Sequence, residues 1–302
     1  MDNQFNKGLV SSFIGSFWWG FIGVIYFKYI SFIGHVELVL HRCLWTALTL
    51  ILTTFLFQKW NIFFEIISKK INVISLFFSG FLIFTNWSVW IYAVATDKII
   101  DASFGYFIMP ILSVLLGYIF FKEKLNKKRI FSIFLVLISI IFLISVRFKS
   151  IPWVGIVVCF SWSFYNLIRK KINVDTDIGL LIESLFILPF ALIVFYFLVK
   201  NGFNDFQFSE PALLLLILLA GPMTVIPLFL YIRGVELSGL GPSGMIFYVT
   251  PSLQFILGFF FYNESFSFVK LISFILIWIA VIIYIIDLYE VSSVSNKEKL
   301  IH

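Results

Sequence analysis

Long apolar runs alternate with short polar breaks along the whole chain. A helix that crosses a bilayer needs about 20 mostly apolar residues, because each rises 1.5 Å through a hydrocarbon layer of about 30 Å. Ten stretches have that character: 8–27, 36–57, 71–95, 102–121, 130–146, 152–168, 178–199, 211–233, 241–261 and 268–288. The longest break, 58–70, is 13 residues, and the breaks hold most of the charge. Only Lys7 precedes the first run closely and no small-x-small cleavage pattern follows it, so a retained helix is expected there, not a signal peptide.

The positions of lysine and arginine orient these runs. With the N-terminus inside, the cytoplasmic breaks collect 15 of the 22 basic residues and the other side 6, leaving Arg42 within the second run. Such a bias on short loops predicts ten spans with both termini in the cytoplasm.

A shift of 141 residues lays the fourth run on the ninth without a gap. Pro110 falls on Pro251, Gly117 on Gly258 and Glu123 on Glu264, and Ser132 falls on Ser273 in the next run. Leucine and phenylalanine identities are cheap in a chain this apolar, but a shared offset for Pro, Gly and Glu is not. The expected division is therefore two five-helix repeats, 1–146 and 147–290, with a cytoplasmic tail over 291–302. Five is odd, so the second repeat enters the membrane upside down, as in many secondary transporters.

Two segments should interrupt their helices at matching places, 105–110 before Pro110 and 247–251 before Pro251. Proline removes a backbone donor and clashes with the carbonyl four residues back. Freed carbonyls at membrane depth need protein or a wet cavity, so paired interruptions point to a central site; the alternative is a packing kink. Ionisable groups inside spans are candidates by default. Glu37, His41 and Arg42 share the start of the second run, and Arg42 maps onto Glu183 of the seventh, which suggests one gate at each mouth. Simple snorkelling would also explain Glu37 and Arg42. His41 could relay a proton or be structural. Asn86, Ser163, Asn166, Thr224, Thr250 and Gln254 could line a cavity or join helices, as could Trp90 and Tyr248. Glu123 and Glu264 close their helices beside loops and are expected to fix a loop or gate. Trp19, Trp87 and Trp162 read as belt or packing residues, and Arg169-Lys170-Lys171 as a cytoplasmic anchor.

Composition agrees with a lipid-facing surface. Hydrophobic residues make up 61% of the 302 and charged residues 13%, with a net charge of +6. A soluble domain carries about 25% charged residues. The basic residues sit in breaks and not on one face, which removes nucleic acid as a partner. Cys43 and Cys159 lie within apolar runs as small hydrophobes, with no metal spacing or disulfide framework. No phosphate loop, zinc helix or nucleophile elbow is present, so neither an enzyme nor a bound cofactor is expected.

Several motifs, in order along nearly the whole chain, resemble RarD-type proteins of the EamA branch of the drug/metabolite transporter superfamily. They are Glu37-Leu-Val-Leu-His41-Arg42, Asn86-Trp87, Trp90-Ile-Tyr-Ala-Val and Asp101-Ala-Ser-Phe-Gly-Tyr106 running on to Pro110. Further along come Ser163-Phe-Tyr165, Ile178-Gly-Leu-Leu-Ile-Glu183, Gly221-Pro-Met-Thr-Val-Ile-Pro227, Phe247-Tyr248-Val-Thr-Pro251-Ser-Leu-Gln254 and Glu264. The resemblance implies an all-α membrane protein of ten transmembrane helices in two inverted EamA-type repeats. It further implies alternating access around a central cavity. The inverted repeat, the paired interruptions and the sparse intramembrane charges lead to the expectation of a secondary transporter in a bacterial inner membrane that moves a small amphipathic metabolite or drug-like compound. With no phosphate loop, a gradient or a partner would drive it, protons or another ion among the candidates. Met109 stands where the family pattern usually has Asn, which removes one polar contact. The other class of reading is a membrane ligand sensor or scaffold without flux; the lack of a sizeable soluble domain argues against it.

Overall fold

The computed structural model describes residues 3–30, 32–95, 99–147, 153–206, 211–261 and 268–301. Among these, every regular element is helical. In order they are α1 (Asn3–Phe17), a π-helical turn (Trp18–Gly23), α2 (Val24–Tyr29), α3 (His35–Leu56), α4 (Trp60–Ser68), α5 (Lys70–Ala95) and α6 (Ile99–Phe121). They continue as α7 (Lys127–Arg147), α8 (Trp153–Ile172), α9 (Thr176–Lys200), α10 (Pro211–Leu218), α11 (Ala220–Ser238), α12 (Leu240–Ile246), α13 (Val249–Phe261) and α14 (Phe268–Ile301).

The bundle is turned outward relative to a soluble protein. Phe13, Phe55, Phe81, Phe134, Phe190 and Phe260 are exposed, whereas Glu37, His41, Arg42, Asn86, Arg169 and Glu183 are buried. Hydrocarbon accepts a phenylalanine surface and satisfies no backbone polar group, so only helices that close their own hydrogen bonds are stable in it. Among the described residues, six helical stretches are long and apolar enough to cross a bilayer: Asn3–Phe27, His35–Leu56, Lys70–Trp90, Thr176–Lys200, Ala212–Ser238 and Leu271–Glu290. The chain is a multi-pass helical membrane protein.

Helices from the first part of the chain pack on helices from the second. The α1 helix lies on α11, α5 on α8, α3 on α9, α6 on α12 and α7 on α14. Contact between α6 and α8 is backbone to backbone, since a Cβ at Gly105 would come 2.4 Å from the Gly155 carbonyl oxygen. Gly8 of α1 sits beside Leu237 and Ser238, and Lys128 of α7 pairs with Glu290 of α14. The first and last helices therefore reach the same end of the bundle. That end carries Lys59, Lys69, Lys128, Arg129 and Lys170 and is called the basic end below.

Five features depart from the expected rods. The break 58–70 holds α4, whose Ile66 is buried. The first run contains the π-helical turn and the eighth divides between α10 and α11. Only one of the two expected interruptions occurs. The ninth run divides at Phe247 and Tyr248, whereas α6 passes through Pro110 unbroken. Pro251 offers no N–H to the Phe247 carbonyl four residues earlier, which accepts instead from Thr250 N at 2.9 Å. This weak point adds to the glycines that precede it, Gly239 (φ +104°), Gly241 and Gly244. Pro110 has no such glycine neighbours in its own helix after Gly105. Finally, α14 continues past the tenth run to Ile301; no Gly or Pro follows Phe268 to end it.

Candidate functional site

A small closed cavity of about 10 Å³, room for about one water, lies among four helices. Thr46 and Leu50 of α3, Trp87 of α5, Glu183 and Ser184 of α9, and Val225 of α11 are among its walls. These positions recur every three or four residues on each helix, which is how one helical face is brought to a common point.

Arg42 stands one turn before Thr46 on α3. Its guanidinium carbon lies 4.3 Å from the Trp87 ring centre and 5.1 Å from that of Phe27, and Nε donates to Thr224 Oγ1 at 3.0 Å. Arg42 is 6% exposed, and among the described residues no carboxylate comes within ion-pair distance of it. It does not snorkel.

Glu183 is held from three sides. Ser79 Oγ donates to Oε1 at 2.5 Å, Tyr165 Oη donates to Oε2 at 3.1 Å, and Arg169 Nη1 lies 3.5 Å from Oε1. Arg169 is fully buried, lies 3.8 Å from Glu236 and donates from Nη2 to the Thr176 carbonyl at 2.9 Å. The anchor reading of Arg169 is therefore overturned; only Lys170 and Lys171 of that triplet keep water in reach. A signal existed in the spacing, since Trp162, Tyr165, Asn166 and Arg169 fall on one helical face and all are buried. Ser163 and both amide atoms of Asn166 on the same helix are buried with no partner among the described residues. Arg42 and Glu183 do not pair with each other; each has its own partners.

Between the cavity and the π-helical turn sits an aromatic cluster. Trp19 meets Trp162 at 5.0 Å, Phe247 lies 5.3 Å from Tyr231 and 5.9 Å from Trp162, and Tyr106 lies 5.9 Å from Phe247. Trp19 and Trp162 are thus interior groups and not membrane-interface belts. Phe247 belongs to the break between α12 and α13, so the interruption in the ninth run presents a ring to this cluster.

The remaining candidates divide into helix joints and end locks. Asn86 donates to the Val158 carbonyl at 3.0 Å and Ser161 Oγ at 3.1 Å, joining α5 to α8, and Trp90 packs half-buried against Val154 and Val158. Tyr248 donates to the Phe107 carbonyl at 2.7 Å, and the Pro110 carbonyl lies 3.2 Å from where a Cβ would stand on Gly244. Pro251 is buried at the start of α13 and Gln254 is half-buried; neither is among the walls of the central cavity. Glu37, 1% exposed, accepts from the backbone N–H of Asp205 at 2.6 Å and of Phe206 at 3.2 Å. His41 stands 3.5 Å from Glu37, edge-on between Phe195 and Phe206. A groove of about 450 Å³ opens beside Glu37, lined by Val36, Phe197 and Phe203 among others. Glu123 accepts from Leu240 N at 2.8 Å and Gly241 N at 2.9 Å, capping α12. Glu264 lies outside the described residues.

The family model for EamA-like transporters matches residues 6–145 and again 149–286. A transporter of Vibrio cholerae, described as uncharacterized, is 34% identical over 93% of this chain and 92% of its own length. YojE of Bacillus subtilis, also described as an uncharacterized transporter, is 32% identical over 92% of this chain and 93% of its own. The protein RarD of Escherichia coli is 30% identical over 94% of this chain and 95% of its own. A solved crystal structure with 12% sequence identity shares the fold, with a TM-score of 0.68 over 92% of this chain and 97% of that one. With nearly every apolar run inside one of the two matched segments, the chain belongs to the EamA-like transporter family, as a RarD-type member of the drug/metabolite transporter superfamily.

Proposed function

We propose that the chain is a secondary active transporter that moves a small amphipathic metabolite or drug-like compound by alternating access. In this reading two five-helix halves, 1–146 and 147–290, lie inverted in a bacterial cytoplasmic membrane with both termini inside. The observation that carries it is the central cavity, walled by α3 and α5 from one half and α9 and α11 from the other. It is closed toward each end by a different set of polar contacts, as an occluded intermediate requires.

The pairing of helices supports the inverted halves. Exchanging two halves about a two-fold axis turns the packing of α1 on α11 into that of α8 on α5, and both occur. The same exchange maps α3–α9, α6–α12 and α7–α14 onto themselves, and these pairs also pack. Tyr248 is the residue the 141 shift sets on Phe107, and its hydroxyl bonds that carbonyl. Residues related by a two-fold axis touch only close to it.

The test is flux of a metabolite panel in proteoliposomes with and without the protein. Substrate movement lost in Arg42→Ala and Glu183→Ala, in protein that stays monodisperse, is expected. Movement of nothing in the panel by wild type, or full flux in both variants, removes the proposed site. An imposed pH gradient that leaves flux unchanged removes protons as the coupling ion.

A further inference from the structure

We infer that the site takes a monoanionic substrate, a carboxylate carried on a small apolar or aromatic body, and that Arg42 is the group that binds the carboxylate. This rests on the transporter reading and adds the substrate class to it.

The argument begins with an imbalance of charge. Arg169 is buried beside two carboxylates, Glu183 and Glu236, and Arg129 beside Asp287 at 2.8 Å. Arg42 is 6% exposed and has Thr224, Trp87 and Phe27 around it, with no carboxylate in reach among the described residues. A buried cation is stable only when paired or well hydrogen-bonded. One hydroxyl on Nε leaves both terminal nitrogens without an acceptor among the described residues, and neither is among the atoms sealed away from solvent. The guanidinium is a planar fork held between ring faces with its donor edge unused. That edge fits the two oxygens of a carboxylate.

The cavity decides the rest of the molecule. Trp87, on whose ring Arg42 rests, also lines it, and Thr224 adjoins Val225 of the opposite wall. Leu50, Ile83, Val225 and Leu228 make its remaining walls apolar; closed, it has room for about one water, so a hydrocarbon or aromatic body is received between these walls only when the helices part. Thr46 Oγ1 lies in the same wall, buried and without a partner among the described residues. Charge favours one negative unit. A dianion would leave an unmatched charge facing Glu183, whose own counter-charge is already supplied by Arg169. A cationic substrate would meet Arg42 with nothing to offset it.

The test uses full-length protein in lipid nanodiscs with three compounds of nearly one shape, benzoate, benzamide and benzylamine, read by tryptophan fluorescence and calorimetry. Wild type should bind benzoate saturably, and benzamide and benzylamine roughly tenfold or more weakly. Arg42→Ala should lose that preference, and Arg42→Lys should keep its sign at reduced strength because the point charge remains without the fork. Equal binding of the three compounds by wild type, no binding of benzoate, or an intact preference in Arg42→Ala overturns the inference. The comparison among compounds in wild type stands even if a variant fails to fold. Flux separates the two readings: Arg42-dependent benzoate binding by a protein that moves nothing keeps the anion site and removes the transporter. Transport of only neutral or cationic compounds, indifferent to Arg42→Ala, keeps the transporter and removes the anion site.

Discussion

The two ends of the bundle are closed by different chemistry. At the basic end, ion pairs between side chains dominate, beside one carboxylate, Glu123, held on the amides of Leu240 and Gly241. Arg169 joins Glu183 and Glu236, Lys59 lies 2.9 Å from Asp177, Arg233 lies 3.3 Å from Glu236, and Lys170 lies 4.0 Å from Glu123. At the opposite end, among the described residues, carboxylates meet backbone. Glu37 takes the amides of Asp205 and Phe206, and Asp205 takes the amide of Gly34 at 2.7 Å. An ion-pair network has two partners that can each find others, so its members can be exchanged one by one. A carboxylate on two amides is a single clasp. Opening the basic end requires re-pairing several charges as well as releasing Glu123, whereas opening the other requires moving one loop off one residue.

Substitutions can pull this contrast apart. The largest expected effect is Arg169→Ala, which leaves Glu183 and Glu236 buried without their cation and should cost about 3–5 kcal/mol. Thermal unfolding in detergent measures it, and adding Glu183→Gln should recover part of the loss because the stranded charge is gone. Next is Glu37→Ala, at about 2 kcal/mol from two charge-assisted hydrogen bonds, one to a half-exposed amide. Its signature is local: amide exchange should quicken at Asp205 and Phe206 while residues around Arg169 stay protected. Third is Glu123→Ala, about 1–2 kcal/mol for the lost cap of α12, visible as faster exchange at Leu240 and Gly241.

The smallest effect belongs to Lys59, which sits in the turn before α4 and is nearly a third exposed. Burial works against its charge, but the Asp177 hydrogen bond and the attraction of Asp177 and Asp175 outweigh that and hold the ammonium above its ordinary range. A raised folded value means the contribution is complete below about pH 10.5 and is lost as pH rises through the folded value. Solvent screening limits it to at most about 1 kcal/mol. Lys59→Ala should flatten the alkaline limb of a stability profile taken at low salt and leave pH 5–8 unchanged.

The helices were legible because hydrocarbon imposes length and apolarity together, and nothing but helix satisfies both. What escaped was what neighbours decide. The α4 helix lies in a break too short and charged to signal a span, although Trp60, Phe63 and Ile67 repeat along one side of it. Arg169 sat in a basic triplet that reads as an anchor, and only the carboxylates of α9 and α11, brought there by packing, give it an interior role. Two prolines at matching positions behaved differently because Pro251 follows a glycine-rich start and Pro110 does not. Of the site, Arg42, Tyr165 and Glu183 could be picked out from charge inside apolar runs and from motif; Ser79, which holds Glu183, and Thr46, which lines the cavity, had no mark that separates them from other small polar residues.

Gly179 has a consequence for anyone surveying variants of this chain. A Cβ there would stand 1.8 Å from Arg169 Nη1, because the guanidinium fills the notch that the missing side chain leaves on α9. Even alanine would evict the arginine and strand its two carboxylates together. A saturation scan should therefore flag this position as among the least forgiving, although it presents no functional group of its own, and the defect should be relieved by shortening residue 169 and neutralising residue 183 in the same molecule.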